Sequence, residues 1–387
     1  MGGVEHSTLY LAENLDRTQW SPVVVCPAEG MLSARCRERG IQVVVTPIPV
    51  MRDVGLRLGN RIFTNPLALL INVVLFFPAA RRLARCLQDI KPDLVCTKEL
   101  LAQFYGGLAA RWVGVPCVWH IQDYINPSRG LGLYPRVLSL GARMLASQVI
   151  TDGKVIADQF HPQIYPSARV SVVYNGVDTN EFSPFIDRQS VRAEFNIASD
   201  ELLVGCVGRF TISKGQSILI RAMDAIYHDY PHVRLLLVGS PLFSEAYYET
   251  ELRKLVAQLN LQAHVIFAGY RTDLAQVLAA LDVYVFPSIA KDTSPLALIS
   301  AMASGKPVVT TKIPGIEELF SDNGNSAALF VSPNDASALA NALRDLAGNS
   351  ELRFRLGHLA RTKAITEFSI EHFVNQCQRI FLKALGD

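Results

Sequence analysis

The chain has 387 residues, half of them apolar, and a formal net charge of +2. That length exceeds one ordinary domain and predicts two. The near-neutral balance excludes a strong polyanion binder, and seven scattered cysteines without a Cys-x-x-Cys pair argue against a zinc ribbon or disulfide framework and for a reducing, cytoplasmic compartment. No basic segment followed by an apolar core, the mark of a secretory signal, opens the sequence. The charge is uneven: residues 1–165 hold 17 Lys/Arg against 12 Asp/Glu, and the remainder 20 against 23. A mildly basic first half fits an anionic membrane surface, an anionic acceptor or an ordinary solvated surface.

In chain order, strands are expected at "PVVVCP", "IQVVVTPIP", "DLVCTK", "PCVWHIQ", "QVITDG" and "VSVVYNGVD". A second set follows at "LLVGCVGR", "VRLLLVGS", "HVIFAGY", "DVYVFPS", "KPVVTT" and "AALFV". Apolar runs without alternation suit parallel strands covered on both faces. Helical spacing fills the intervals, as in "SILIRAMDAIYHDYP" and "SEAYYETELRKLVAQLNL". Strand–helix–strand, repeated twice over, predicts two doubly wound α/β domains. The seam is expected near Asn175–Ser190, where Asn, Gly, Pro and Ser interrupt the pattern.

One segment departs from this alternation. "IFTNPLALLINVVLFFPAARRLARCL", from Ile62, is interrupted by Asn72 and Pro78 and falls short of the ~20 residues needed to span a bilayer. Arg52, Arg57 and Arg61 precede it, and Arg81, Arg82 and Arg85 close it. It reads first as a buried helix and second as a basic, apolar element making peripheral membrane contact through Ile62–Arg85.

In open parallel sheets ligands sit at the carboxyl ends of strands. Two such domains facing a central cleft would bring those ends together, so the chemistry is sought after each strand. "GCVGRFTISKG", Gly205 to Gly215, ends a strand at Gly208 and sets Arg209 and Lys214 beside a helix start near Gln216, where free amides and the helix dipole favour an anion. The spacing is neither a P-loop nor Gly-x-Gly-x-x-Gly. In "FPSIAKDTSPLALISAMASGKPVV", Ser294 is the expected N-cap, Pro295 suits the first turn and Gly305 the C-terminal end, with Asp292 before the helix mouth and Ser300 two turns along. His120 closes the strand "PCVWHIQ".

Taken in order, "GRFTISKG", "VGSP", "FAGYRTDLAQVLAALDVYVFPS" and "SPLALISAMASGKPVV" resemble the C-terminal domain of retaining family 4 glycosyltransferases with the GT-B fold. "GGVE" at Gly2–Glu5, "NGVD" at Asn175–Asp178 and the closing "FSIEHFVNQCQRIFLKAL" extend the resemblance over essentially the whole chain. It implies an N-terminal acceptor-side Rossmann-like domain, 1–174, a nucleotide-sugar-binding one, 175–365, and a last helix, 366–387, crossing back to the first. It further implies a metal-independent hexosyltransferase of polysaccharide biosynthesis, without cofactor, using a UDP-, GDP- or ADP-sugar and a glycan or lipid-linked acceptor. By resemblance, Gly208, Arg209 and Lys214 would bind the diphosphate, Thr293, Ser294, Pro295 and Leu296 would touch sugar and phosphate, and Tyr270 and Arg271 would border the base. Gly3 would lie in the glycine loop facing the donor, and His120 would approach the transferred sugar.

The match departs at two places. The family's helix-mouth glutamates are replaced by Asp292 and Ser300. The shorter acid shifts its carboxylate, and a displacement on the order of 1 Å can cost roughly a hundredfold in rate. Loss of the second carboxylate removes a ribose contact of about 1.5–3 kcal/mol. At the start, Met1 abuts "GGVE" directly, so the first strand of the N-terminal domain is missing, and a longer natural product is the expectation. Alternatives are therefore a catalytically weak or inactive relative that binds nucleotide or glycan, and a nucleotide-sugar epimerase.

Overall fold

Unbroken apolar runs become parallel strands because both faces of each strand are covered. The computed structural model describes residues 2–49, 55–58, 61–124, 132–241, 246–320 and 326–386, with backbone alone at 55–58, 61–64, 66 and 69. The chain divides into two units, Met1–Val173 with Val374–Asp387, and Tyr174–Phe373. The seam falls at 173/174 rather than 174/175. The return to the first unit comes at Val374, inside helix Ile370–Leu385, rather than at 366. Phe368 explains the delay: it belongs to the second unit's core, and Val177 pairs with the adjacent Ser369.

In the first unit, β1 (Val23–Cys26) and β2 (Gln42–Val45) form a parallel pair, and β3 (Gly55–Leu58) and β4 (Arg61–Thr64) an antiparallel hairpin. Then β5 (Val95–Lys98), β6 (Cys117–Ile121), β7 (Gln148–Thr151) and β8 (Val170–Val172) form a parallel sheet in that order. Among the described residues no strand joins β1 to β5. The hairpin corrects the sequence reading, which started a helix at Ile62. The helix is Pro66–Ile90, and Asn65 sets its start by accepting from the Leu67 and Ala68 amides at 3.1 and 3.2 Å. Among the described residues no helix is long and apolar enough to cross a membrane.

The second unit carries one six-stranded, all-parallel sheet: β9 (Leu202–Val207), β10 (Val233–Val238), β11 (Val265–Gly269), β12 (Val283–Phe286), β13 (Val308–Thr311) and β14 (Ala328–Val331), ordered β11-β10-β9-β12-β13-β14. Alternate residues feed two cores. Leu203, Leu236, Tyr284 and Val308 pack under helices Leu274–Ala280, Leu296–Ala303 and Ser350–Glu367. Val204, Leu235, Val283 and Val309 pack under Gln216–Ile226, Ala246–Gln258 and Ala336–Gly348. Strand order reverses between β9 and β12, the place where open sheets of this kind take their ligand. The ladder between these two strands consists of Val204–Val283 and Gly205–Tyr284 alone.

Candidate functional site

Beyond that short ladder the chain ends of β9 and β12 are stitched together. After β9 come Gly208, Arg209, a 3-10 turn Ile212–Lys214 and helix Gln216–Ile226. Gly215 joins turn to helix at φ +70°, and a Cβ there would meet the Pro287 carbonyl at 2.0 Å, so only glycine fits. The Ser213 carbonyl accepts from Ser288 Oγ at 3.0 Å and from the Ile289 amide at 2.8 Å. Gln216, fully buried, donates to the Arg209 carbonyl at 2.8 Å and fixes the loop that presents the arginine.

The two cations differ in their surroundings. Lys214 lies 5.1 Å from the centroid of the Phe286 ring and forms an ion pair with Asp292. Arg209 is exposed and has no ion pair among the described residues. Arg209, whose carbonyl is tied to the first residue of the following helix, and Lys214, in the turn that leads into it, give this strand end two cations near a helix start, an arrangement suited to an anion.

The loop after β12 corrects one sequence expectation. The helix is Leu296–Ala303 with Pro295 at its N-cap position, so Ser294 is not the cap. Ser294 instead adopts φ +48° and turns inward: its Oγ accepts from the Asn175 amide at 2.6 Å, while Asn175 Nδ2 donates to the Ser294 carbonyl at 3.0 Å. That clasp fastens "NGVD" to the helix mouth. Gly315 (φ +94°) approaches the same loop, where a Cβ would lie 2.2 Å from the Asp292 carbonyl. Thr293 and Ser300 are buried, at 8% and 2% exposure, and Leu296 opens the helix.

Tyr270 and Arg271 follow β11, two strands from β9. Tyr270 is exposed at 59%. Arg271 is already engaged, paired with Glu194 at 2.5 Å and Asp273 at 2.6 Å, and these partners raise its pKa further. Its charge is balanced within the chain, so the structure does not offer it as a free cation.

In the first unit, Gly3 opens helix Gly3–Asn14, with Gly2 N donating to Glu5 Oε2 at 2.6 Å. His120 is fully buried near the end of β6. Its Nε2 bonds Asp152 Oδ1 at 2.8 Å, which makes Nε2 the protonated nitrogen because the carboxylate only accepts. Burial first, then the charge of Lys98, hold the imidazole pKa below its ordinary value, against the pull of Asp152. Gln122 donates to Asp152 Oδ2 at 2.7 Å and to Ser7 Oγ at 3.1 Å, and Lys98 donates to Ser7 Oγ at 2.9 Å. The sequence reading passed over Ser7, Lys98, Gln122 and Asp152. They lie far apart along the chain, and the "TDG" that ends β7 was the one local signal. Among the described residues no cluster of three His, Cys, Asp or Glu side chains is placed to hold a metal ion.

A family model described as "Glycosyl transferases group 1" matches residues 187–363, and one described as "Glycosyltransferase Family 4" matches residues 1–181. The lipopolysaccharide core biosynthesis mannosyltransferase LpsB of Rhizobium meliloti is 25% identical over 70% of this chain and 81% of its own length. A D-inositol 3-phosphate glycosyltransferase of Mycobacteroides abscessus is 33% identical over 52% of this chain, which spans 44% of that protein's length. Among solved structures, Anabaena Alr3699/HepE in complex with UDP superposes with a TM-score of 0.81 at 26% identity, covering 99% of this chain and 96% of that one.

Proposed function

The chain belongs to glycosyltransferase family 4, group 1, with the GT-B fold, and we propose that it moves a hexose from a nucleotide-sugar to a glycan or lipid-linked acceptor, with retention and without a metal ion. The observation that supports this reading is that Arg209 and Lys214 follow β9 at the strand-order reversal of the second unit, where a diphosphate would sit. The UDP bound by the Anabaena protein supports a nucleoside diphosphate there, and the LpsB name supports an acceptor of the cell-envelope glycan class. Seven free cysteines support a cytoplasmic setting.

In this mechanism the bond between the anomeric carbon and the diphosphate breaks as the acceptor hydroxyl approaches the same face. Its proton passes to the departing phosphate oxygen. Arg209 and Lys214 stabilise the charge gathering on that oxygen, and fixed donors around a developing charge are a large catalytic term. Asp292, tied to Lys214, orients the lysine and a sugar hydroxyl. Thr293, Ser294, Pro295 and Leu296 present backbone to sugar and phosphate, with Gly208 beneath and Ser300 toward the ribose. Tyr270 and Arg271 border the base. We narrow the part of His120: buried and neutral, it acts through its bonds to Asp152 and, beyond it, Gln122.

Ser300, standing where the family has a carboxylate, favours a second reading: a weak or inactive relative that binds nucleotide. Calorimetry with UDP-, GDP- and ADP-sugars, followed by sugar release in the presence of acceptor, tests both. One donor bound and hydrolysed or transferred, with both lost in Arg209→Ala, supports the transferase. Binding without release supports the second reading. Conversion of the donor to its epimer without acceptor overturns both in favour of an epimerase.

A further inference from the structure

Helices Pro66–Ile90, Leu100–Val113 and Tyr134–Leu145 of the first unit share one core with β5–β7: Leu87, Ala110 and Leu138 pack with Val95, Trp119 and Val149. The middle helix packs against both of its neighbours, so the three form one layer. Their outer sides are unusual. Leu67, Leu70, Val74 and Phe77 are 58–64% exposed. They fall on one helical stripe, which continues into exposed Arg81 and Arg85. On the third helix and its N-cap, Leu133, Val137, Leu140 and Met144 are 50–57% exposed, flanked by exposed Arg136 and Arg143.

Apolar surface of this extent marks a protein or membrane contact, and the charge selects between them. The three helices carry six arginines, including Arg82 and Arg111, and a single acid, Asp89. All six arginines are exposed, and none forms an ion pair among the described residues; Arg82 and Arg111 reach only the Pro47 and Met144 carbonyls. A second copy of this chain would bring six more arginines to the same surface and be repelled. Anionic headgroups would be drawn to it, and apolar stripes between basic residues are what an interfacial helix buries at the acyl boundary.

We propose that this three-helix face docks on an anionic lipid surface, the apolar stripes entering the headgroup–acyl boundary and the arginines meeting phosphates. The contact stands whatever sugar the second unit moves. The test is sedimentation of the full chain with phosphatidylcholine vesicles and with phosphatidylcholine–phosphatidylglycerol vesicles. Binding to the anionic vesicles is expected to be at least about tenfold stronger, to weaken with salt, and to fall about tenfold in Arg81→Glu/Arg85→Glu. Val74→Asp/Phe77→Asp and, separately, Leu140→Asp/Met144→Asp each remove binding at unchanged circular dichroism and melting. Equal binding to neutral vesicles, or none to either, overturns the proposal. So does binding that survives the Leu140/Met144 change. Self-association that is abolished by Phe77→Asp without vesicle binding also overturns it, and assigns the face to a second copy.

Discussion

Lys214 and Asp292 are ion-paired across the opening between β9 and β12, the lysine closing the turn after one strand and the aspartate lying in the loop after the other. The pair balances the charge of the lysine before any diphosphate arrives, while Arg209 is exposed and forms no ion pair among the described residues. The two cations therefore differ in what their loss should do.

Arg209→Ala is expected to lower kcat/KM for the nucleotide-sugar by about 10²–10³-fold, the usual cost of a donor at a developing negative charge. Melting should be unchanged, since the side chain is exposed and carries no ion pair among the described residues. Asp292→Ala separates binding from turnover: freeing Lys214 should tighten UDP binding a few-fold while kcat falls more than about tenfold. Calorimetry beside steady-state kinetics reads both.

Gly215→Ala tests the stitching of the two loops. Its Cβ would fall 2.0 Å from the Pro287 carbonyl in a left-handed conformation, so backbone must shift. A loss of about 2–4 kcal/mol in urea unfolding is expected, together with loss of nucleotide binding.

The buried histidine gives a pH dependence. The folded-state pKa of His120 lies below 6.5, so over the window from 6.5 downward the unfolded chain binds the proton that the folded chain refuses. Stability from this group is full above 6.5 and is lost as pH falls toward the folded pKa. Unfolding free energy should therefore drop on acidification at up to about 1.4 kcal/mol per pH unit. His120→Gln should remove that component of the slope in melts taken across the window.

Of the seven cysteines only Cys96 is exposed, yet its close surroundings push its thiol up to about 11. A small thiol reagent should label one cysteine in the native chain, slowly at neutral pH and faster as pH rises toward 11. Peptide mapping should place the label at Cys96, and Cys96→Ser should abolish it.

Strands of both units were legible because parallel strands need apolar residues on both faces, as in "LLVGCVG" and "VRLLLVG". The β3–β4 hairpin was not. Its strands, Gly55–Leu58 and Arg61–Thr64, are short and were overshadowed by the apolar helix that follows. Arg209, Lys214 and Asp292 were legible as residues after strand ends. Ser294 was misread as a cap because the competing donor, the Asn175 amide, is more than a hundred residues away. The His120–Asp152–Gln122–Ser7–Lys98 network escaped for the same reason: its bonds join one helix and the ends of three strands that no local pattern relates.

The separation of β1–β2 from β5–β8 divides the backbone of β5 by direction. The Val95 amide reaches the Pro116 carbonyl, so Val95 and Thr97 point their peptide groups at β6, and Cys96 and Lys98 point theirs away from it, where among the described residues no strand answers. Deuterium should therefore enter this strand in alternation. The amides of Cys96 and Lys98 should exchange early, and those of Val95 and Thr97 late. In the second unit β9 is laddered on both sides and should show no such alternation along Leu203–Gly205.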